Sequence, residues 1–277
     1  MPQKLIRDIN INYEIIGDGQ PLLFIHGLGS SLRDWEDQVP VFCKNFKVIT
    51  LDLRGHGQTD KPKGPYSISM FAEDIAELIK SLKVDPVHVV GISLGGAIGF
   101  HLAIDHPDIT KSLVVVNMSA SVPIKTLKEK QMFFLRILIV KMMGMKKMGE
   151  VLAKRLFIKP EQEELRERMA SRWAENDKKA YLSSLKTLKN WSVLERLHEI
   201  KCPTLAISSD EDYTPLSDKE EYITLIPNAK LVVIKDARHA VSVEKPEEFN
   251  TILMESMLYI LPYQIKACNP HPKKSLV

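Results

Sequence analysis

A serine placed between a strand and a helix is the residue of this chain best suited to chemistry. Val87 to Ala103 reads as an apolar strand, then Gly91-Ile92-Ser93-Leu94-Gly95, then a helix of small residues. A helix can follow such a strand directly only if the backbone turns sharply, which predicts unfavourable φ and ψ angles at Ser93. Gly91 and Gly95 would leave room for the helix to approach the strand closely.

A serine hydroxyl at such a turn predicts nucleophilic catalysis. Near neutral pH the hydroxyl is a poor nucleophile, so it needs a base within hydrogen-bond reach. The base in turn needs a partner that fixes its tautomer and stabilises its charged form. Attack on a carbonyl carbon by this set of groups transfers an acyl group and needs no metal and no organic cofactor.

The composition is that of a globular protein with a small excess of positive charge. The chain has 277 residues, 44% of them hydrophobic, and a formal net charge of +3. The N-terminus does not resemble a secretory signal, and the longest apolar run, Met132 to Met143, is too short to span a membrane. We therefore expect a soluble protein with no stable membrane insertion and no nucleic-acid partner. Three scattered cysteines suit a reducing compartment, so we expect a cytoplasmic location.

Apolar runs alternate with helical patterns along most of the chain. Continuous apolar runs are typical of strands buried on both faces, and helical spacing recurs between them. This alternation predicts an α/β fold with a mostly parallel sheet of about eight strands, helices on both faces and working residues at the carboxyl ends of the strands. Besides a hairpin of Ile11 to Ile16 with Pro21 to His26, the expected strands are Val48 to Leu51, Val87 to Val90, Leu113 to Val116, Leu205 to Ile207 and Leu231 to Ile234. The expected helices are Leu32 to Phe42, Ser69 to Leu82, Ala97 to His106, Ser217 to Leu225 and Pro246 to Leu258.

The G-x-S-x-G turn in this setting is the nucleophile elbow of the α/β-hydrolases, and the chain resembles that superfamily from about Ile11 to Leu258. It looks like an esterase-like or lactonase-like member with a helical cap. A serine nucleophile disfavours the dehalogenases and epoxide hydrolases of this fold, which use aspartate there.

The resemblance assigns roles to the loop after the second predicted strand, His26-Gly27-Leu28-Gly29. It implies an oxyanion hole formed by the backbone N–H groups of Leu28 and Leu94. It also places Gly27 and Trp35 near the substrate pocket, although core packing explains Trp35 equally well. His26 is expected to be structural. The turn Asp52 to Thr59 matches a further family motif and is interpreted as a salt-bridged turn that supports the site.

The resemblance also implies the base and the acid. His239 follows the last predicted strand, in the position of the family's base, and Glu244-Lys245-Pro246 opens the terminal helix after it. The acid belongs to the loop Ser209 to Pro215, where Asp212 fits best, Asp210 is its rival and Glu211 is third. The chain order serine, aspartate, histidine is the order expected of an α/β-hydrolase.

The composition changes after Asn117. From residue 121 to 200 the strand patterns disappear, methionines cluster, and Lys and Arg outnumber Asp and Glu by 18 to 10. We interpret 121–200 as a basic helical cap, residues 1–120 and 201–262 as the hydrolase core, and 263–277 as a loosely held tail. The positive field of the cap would favour a substrate with a carboxylate or a phosphate, or a weak encounter with an anionic membrane surface. A solvated helix face is the alternative explanation of the same charges.

These residues predict a serine hydrolase that cleaves a small to medium carboxylic ester, lactone or thioester through an acyl-enzyme. The sequence is somewhat similar to the enol-lactone hydrolases. Carbon–carbon bond hydrolysis and cofactor-free perhydrolysis remain open on the same three residues, as does a ligand-binding protein that has lost turnover. A lipid-surface enzyme is disfavoured because Arg136 and Lys141 interrupt the apolar run. The substrate and the oligomeric state stay open.

Overall fold

A single eight-stranded sheet forms the centre of the computed structural model, which describes residues 2–260. Along the chain the strands are β1 (Gln3–Ile6), β2 (Ile9–Ile16), β3 (Gln20–Ile25), β4 (Phe46–Leu51), β5 (Val87–Ile92), β6 (Thr110–Val116), β7 (Thr204–Ser209) and β8 (Ala229–Ile234). Their order in the sheet is β1-β2-β4-β3-β5-β6-β7-β8. β2 is antiparallel to both of its neighbours, and all other pairs are parallel. The predicted α/β fold class is confirmed.

The hairpin predicted for Ile11 to Ile16 and Pro21 to His26 would pair β2 with β3. This prediction is wrong. β2 pairs antiparallel with β4, so that Tyr13 lies opposite Leu51, while β3 pairs in parallel with β4 and β5. The connection Gly17-Asp18-Gly19 crosses the start of β4 instead of closing a two-stranded turn. At Gly17 the φ angle is +82°, and a Cβ there would lie 2.2 Å from the carbonyl oxygen of Cys43. Glycine is therefore needed for the crossing, and strands adjacent in sequence are not adjacent in the sheet.

Helices cover both faces of the sheet. One face carries α2 (Ile68–Leu82), α3 (Leu94–Asp105) and α7 (Leu216–Ile223), and the other carries α1 (Val39–Phe42), α8 (Val241–Glu244) and α9 (Pro246–Ile260). The helix expected over Leu32 to Phe42 is instead a 3₁₀ turn, Leu32–Trp35, followed by the four-residue α1. Each face buries its own apolar cluster, which explains why the parallel strands are apolar on both sides.

A mainly helical insert connects β6 to β7 and spans the predicted cap, 121–200. It contains α4 (Leu127–Leu156), α5 (Glu163–Ala174) and α6 (Lys178–Thr187). Near its end, Val193, Leu197 and Ile200 pack in the core cluster of the sheet. The two ends of the insert meet in a narrow neck, where Ser121 and Ser192 form an antiparallel bridge. Backbone hydrogen bonds on both sides of the bridge, such as Val193 N–H to Ala120 O at 2.9 Å, hold the neck together. The insert therefore leaves and rejoins the sheet at nearly the same point.

The long helix α4 is bent at Gly144. Its φ and ψ angles there are 79° and −177°, outside the helical region. Thr126 and Glu129 form a capping box that fixes the beginning of the helix. The bend lets the two halves of α4 run in different directions across the carboxyl ends of the strands.

Part of the predicted organisation lies outside the described residues. The tail 263–277 and the last two residues of the predicted core, 261–262, belong to that part. Within residues 2–260, none of the helices has the length and apolar character needed to cross a bilayer.

Candidate active site

Ser93 lies on the sharp turn between β5 and α3. Its φ of 55° and ψ of −118° are strained angles for a residue with a side chain, a cost of about 1–3 kcal/mol. A Cβ on Gly91 would lie 2.2 Å from the carbonyl oxygen of Gly95, and a Cβ on Gly95 would lie 2.2 Å from that of Ile25. The two glycines are thus required by the close contact of strand and helix. The turn holds the serine above the carboxyl end of β5.

His239 and Asp212 form a hydrogen-bonded pair beside this turn. Nδ1 of His239 lies 2.7 Å from Oδ1 of Asp212, and the aspartate side chain is fully buried. Asp212 follows β7 and His239 follows β8, so both belong to loops at the same edge of the sheet as Ser93. With Nδ1 donating to the carboxylate, Nε2 of the imidazole is the nitrogen left to act as a base.

A buried lysine keeps this aspartate charged. Nζ of Lys219, whose side chain is 1% exposed, lies 3.0 Å from Oδ2 of Asp212 and 2.6 Å from the carbonyl oxygen of Thr214. The hydroxyl of Thr214 also donates to Oδ2. Burial by itself would raise the pKa of Asp212, but His239, Lys219 and these hydrogen bonds lower it to about 2. Asp212 is therefore a carboxylate throughout the neutral pH range.

Asp210 occupies a different environment. One of its carboxylate oxygens accepts a hydrogen bond from the backbone N–H of Ala237 at 3.3 Å. The pKa of Asp210 is lowered by such backbone hydrogen bonds and by Lys235, although burial opposes the shift. The structure thus brings Asp212 rather than Asp210 to the imidazole.

Asn117 joins the strand ends that carry these loops. Its Oδ1 accepts from the backbone N–H of Ser209 at 2.7 Å, and its Nδ2 donates to the Ser209 hydroxyl and to the carbonyl oxygen of His239, both at 2.9 Å. The residue has a positive φ of 47° and is fully buried. One amide side chain therefore fixes the end of β7 and the loop of His239 relative to β6.

The loop after β3 brings one backbone donor, Leu28 N–H, beside the nucleophile turn, which carries the second, Leu94 N–H. A Cβ on Gly27 would lie 3.5 Å from Cβ of Ser93, which places this loop directly beside the serine. Within residues 2–260, the N–H groups of Leu28 and Leu94 have no hydrogen-bond acceptor. His26 anchors the loop, since Nδ1 donates to the Gly27 carbonyl at 2.8 Å and Nε2 accepts from Leu53 N–H at 3.0 Å. Burial lowers the pKa of His26, so it is neutral and structural.

Tyr213 contacts the imidazole at the nitrogen that would act as the base. Its hydroxyl lies 2.7 Å from Nε2 of His239, and the two rings stack with centroids 4.0 Å apart. Burial of the hydroxyl raises the pKa of Tyr213 to about 12, although a hydrogen bond with Ser93 acts in the opposite direction. Within the described chain, Nε2 makes no direct hydrogen bond to Ser93. The phenol therefore stands between the serine and the histidine.

Two arginines of α4 approach this tyrosine from the insert. The guanidinium carbon of Arg155 lies 5.1 Å from the centroid of the Tyr213 ring, a cation–π contact. Arg136 donates from Nε and Nη2 to the hydroxyl of Tyr181, at 2.7 and 2.5 Å. Tyr181 packs against Gly29 of the loop after β3. The insert thus places positive charge above the predicted catalytic residues.

Other predicted residues lie away from the serine. Trp35 is completely buried between Phe24 and Phe249, so its role is core packing rather than lining the pocket. The turn Asp52 to Thr59 forms salt bridges through Arg54, although its partner is not Asp52. Arg54 binds Asp74 and Asp8 instead, and Asp52 accepts hydrogen bonds from backbone N–H groups, such as that of Leu32 at 2.9 Å.

Lys219, Asn117, Tyr213 and the arginines of α4 were not identified from the sequence. Tyr213 follows the predicted acid directly, so its position gave a weak signal. Asn117 ends a predicted strand, which is the usual place for a site residue. Nothing in the local sequence marks Lys219 or Arg136 as a site residue, because each belongs to a helix that approaches the site only in the folded chain.

The chain is similar to proteins of the α/β-hydrolase fold. The family model described as alpha/beta hydrolase fold matches residues 20–137. The 3-oxoadipate enol-lactonase 2 of Acinetobacter baylyi is 30% identical over 250 residues, covering 88% of this chain and 91% of that protein. The chain therefore belongs to the α/β-hydrolase fold family and is a hydrolase of that fold.

Two further similarities support this assignment. The (E)-2-((N-methylformamido)methylene)succinate hydrolase of A. baylyi is 28% identical over 244 residues, or 84% of this chain and 89% of that one. The crystal structure of the enol-lactonase from Burkholderia xenovorans superposes with a TM-score of 0.86 at 24% identity, covering 92% of this chain and 99% of that one. The latter similarity concerns the fold.

Proposed function

We propose that this protein is a serine hydrolase that cleaves a small to medium carboxylic ester, lactone or thioester through an acyl-enzyme. The observation that carries the proposal is the meeting of Ser93, His239 and Asp212 at one edge of the sheet, with the 2.7 Å bond between Nδ1 and Oδ1. The three residues follow three different strands in the order used by the family. A structural role alone would not require a strained serine beside a buried aspartate–histidine pair.

The proposed reaction uses two acyl transfers. Ser93 Oγ attacks the carbonyl carbon while Nε2 of His239 accepts its proton, and the N–H groups of Leu28 and Leu94 stabilise the negative oxygen. Collapse of the tetrahedral intermediate breaks the bond to the leaving group, which takes the proton from Nε2. Water then attacks the acyl-enzyme with the same base, releasing the acid and restoring the serine. Because the Tyr213 hydroxyl is hydrogen-bonded to Nε2, it must withdraw before the imidazole can accept the proton of Ser93.

The insert 121–200 serves as a cap in this proposal, over a core formed by 1–120 and 201–262. Its helices place Arg136 and Arg155 on the substrate side of the serine. Relatives named for an enol-lactone and for a substituted succinate support a small-molecule substrate. The chemistry needs no metal and no organic cofactor. The free Cys43 and Cys202 suit the cytoplasm, where we place the reaction.

The proposal is tested by covalent labelling combined with turnover. A fluorophosphonate probe should label the wild-type protein and not Ser93→Ala, and a series of p-nitrophenyl esters with increasing acyl length should be hydrolysed by the wild type alone. The matched control is Ser119→Ala, a buried serine that follows β6 and lies outside the predicted triad. It should keep both labelling and turnover.

The outcomes separate the alternatives. Labelling with turnover of short esters supports the hydrolase. Labelling without turnover of any ester, lactone or thioester would favour carbon–carbon hydrolysis or perhydrolysis on the same serine. A folded wild-type protein with neither labelling nor turnover would contradict the proposal and favour a ligand-binding member of the fold.

A further inference from the structure

The first half of α4 exposes an apolar face that nothing in residues 2–260 covers. Phe134 is 64% exposed, Leu138 is 42% exposed and Met142 is 76% exposed. Their spacing of four residues places them along one side of the helix. Leu127 and Leu135, at 72% and 53%, extend the same surface. We name this the outer face of α4, and it consists of Leu127, Phe134, Leu135, Leu138 and Met142.

The opposite side of the same helix is also apolar and packs on the protein. Val140 is completely buried in a cluster with Tyr181, and Phe133 and Ile137 pack against that cluster. A helix with apolar residues on all sides is normally covered on all sides. The outer face of α4 is therefore the part of its surface that still lacks a partner.

Arg136 does not interrupt the outer face. Its guanidinium turns inward and donates to Tyr181, on the side of the helix that packs on the protein. Lys141 lies about 20° around the helix from Phe134 and about 60° from Leu138, at the edge of the outer face. The charges that argued against a lipid-binding helix in the sequence thus lie beside the apolar residues rather than among them.

The charges around the outer face are almost all positive. Between residues 121 and 149 the chain has seven Lys or Arg and one acid, Glu129, which is engaged in the capping box. Five of the lysines are exposed, namely Lys125, Lys128, Lys130, Lys141 and Lys146. Apolar side chains flanked by lysines are suited to bind a surface that has anionic groups on its outside and an apolar layer below them.

A second copy of the chain fits this surface poorly. In a symmetric dimer the same patch is present on both partners. The lysines of one outer face would then meet the lysines of the other, and like charges brought together across an interface are unfavourable. An anionic bilayer surface provides both the apolar interior and the opposite charge.

We propose that the outer face of α4 docks the protein on the surface of an anionic lipid membrane. The apolar side chains enter the boundary between headgroups and acyl chains, and the lysines bind the acidic headgroups. The protein lies on the membrane and does not cross it. The inner side of α4 packs on Tyr181 and on Leu28 of the loop after β3, so docking brings this side of the site close to the lipid. This inference does not depend on the proposed reaction.

Vesicle flotation of the full chain tests the proposal. Vesicles of phosphatidylcholine mixed with phosphatidylglycerol should retain the protein at least about tenfold better than vesicles of phosphatidylcholine alone. The double variant Phe134→Gln, Leu138→Gln should lose retention, and Lys128→Gln, Lys130→Gln should lower it by about tenfold or more. The matched controls are two double variants that replace exposed residues elsewhere. Leu5→Gln, Leu225→Gln is the control for the apolar variant, and Lys44→Gln, Lys63→Gln is the control for the lysine variant.

The result expected is loss of retention in both α4 variants and full retention in both controls. The proposal is overturned if the wild type does not float with the anionic vesicles, or if the controls lose retention as strongly as the α4 variants. A dimer would also overturn the proposal. In that case light scattering finds the wild type dimeric and the Phe134→Gln, Leu138→Gln variant monomeric, and the wild type does not bind the vesicles. Circular dichroism of each variant verifies that α4 and the core remain folded.

Discussion

The hydroxyl of Tyr213 lies 2.7 Å from Nε2 of His239, the nitrogen that accepts the serine proton in the proposed reaction. We expect Tyr213→Phe to raise the rate of fluorophosphonate labelling and kcat/KM for short esters by about two- to tenfold. The reason is that Ser93 can then reach Nε2 of His239 without first breaking a hydrogen bond worth about 0.5–1.5 kcal/mol. The phenylalanine ring keeps the stacking with the imidazole, so the change isolates the hydroxyl. Labelling rates and steady-state kinetics on p-nitrophenyl esters provide the measurement.

The control for this prediction is Tyr66→Phe, which removes a hydroxyl bonded to the carbonyl oxygen of Pro62 at 2.5 Å, away from the histidine. Its rates should match those of the wild type. A decrease in both rates with Tyr213→Phe would contradict the prediction, and would mean that the phenol assists proton transfer instead of obstructing it.

The two aspartates of the loop after β7, Asp210 and Asp212, differ in their hydrogen-bond partners. We expect Asp212→Asn to lower kcat by about three to four orders of magnitude, because the amide cannot hold the imidazole in the required tautomer or stabilise its charged form. Asp210→Asn should remain within a few-fold of the wild type, since that carboxylate accepts from the backbone N–H of Ala237. Ester turnover of both variants is compared. Equal losses would contradict the assignment of the acid.

The sequence predicts the role of a single residue only where that residue belongs to a short local motif. Ser93 and His239 sit in short motifs, and Asp212 could be chosen from a loop of three acids. Tyr213 directly follows Asp212 and Lys219 lies seven residues after it, but neither belongs to a motif. Asn117 binds the carbonyl oxygen of His239, 122 residues later. Contacts of that length depend on the strand order, which a single sequence does not contain.

At the scale of elements, the bend of α4 depends on glycine at position 144. Its φ and ψ of 79° and −177° lie in a region essentially limited to glycine, whereas a Cβ there would meet no atom within 4 Å. We therefore expect Gly144→Ala to destabilise the insert through the backbone alone, by about 1–3 kcal/mol. Hydrogen exchange of residues 127–156 should accelerate while that of β5 stays unchanged.

The matched control for the bend is Met143→Ala, which shortens an exposed side chain beside it. Exchange in this variant should equal that of the wild type. Unchanged exchange in Gly144→Ala would contradict the role assigned to the glycine, because it would mean that α4 tolerates a helical conformation at this position.

Elements with a regular apolar pattern were the easiest to predict. The apolar runs of β4 to β8 and the spacing of α2, α3, α7 and α9 match the structure to within a few residues, because burial imposes the pattern directly. The error at β2 and β3 arose from pairing, since a short glycine turn is compatible with a hairpin and with a crossing over β4. The residues of β1 formed no clear pattern, because three of its four lie partly or fully exposed at the sheet edge.

At the scale of the whole molecule, buried neutral histidines make stability depend on pH. Burial lowers the pKa of His56 to about 3 and that of His88 to about 4, from 6.5. The unfolded chain therefore binds protons that the folded chain excludes between about pH 6.5 and about pH 4. The free energy of unfolding should fall as the pH falls through this window, by up to about 1.4 kcal/mol per pH unit for each histidine. Urea unfolding over a pH series measures this slope.

The buried carboxyl of Asp34 has the opposite effect on the pH dependence of stability. Burial raises the pKa of Asp34 to about 6 from 3.8, so the folded chain binds its proton more strongly than the unfolded chain does. The contribution of Asp34 to stability is full below about pH 3.8 and is lost as the pH rises through about 6. We therefore expect Asp34→Asn to steepen the decline toward acid and His88→Asn to flatten it. Identical slopes in all three proteins would contradict both assignments.

The neck of the insert has a consequence for how this chain can change. Because Ser121 and Ser192 lie side by side, the chain leaves the sheet and returns to it through one junction. The insert also packs on the loops around it, since Asn176 donates to the Gly29 carbonyl and Trp173 lies in a cluster with Ala240 and Val243. A segment grafted between Ser121 and Ser192 would keep the chain connections of the strands, but it would also have to replace these contacts.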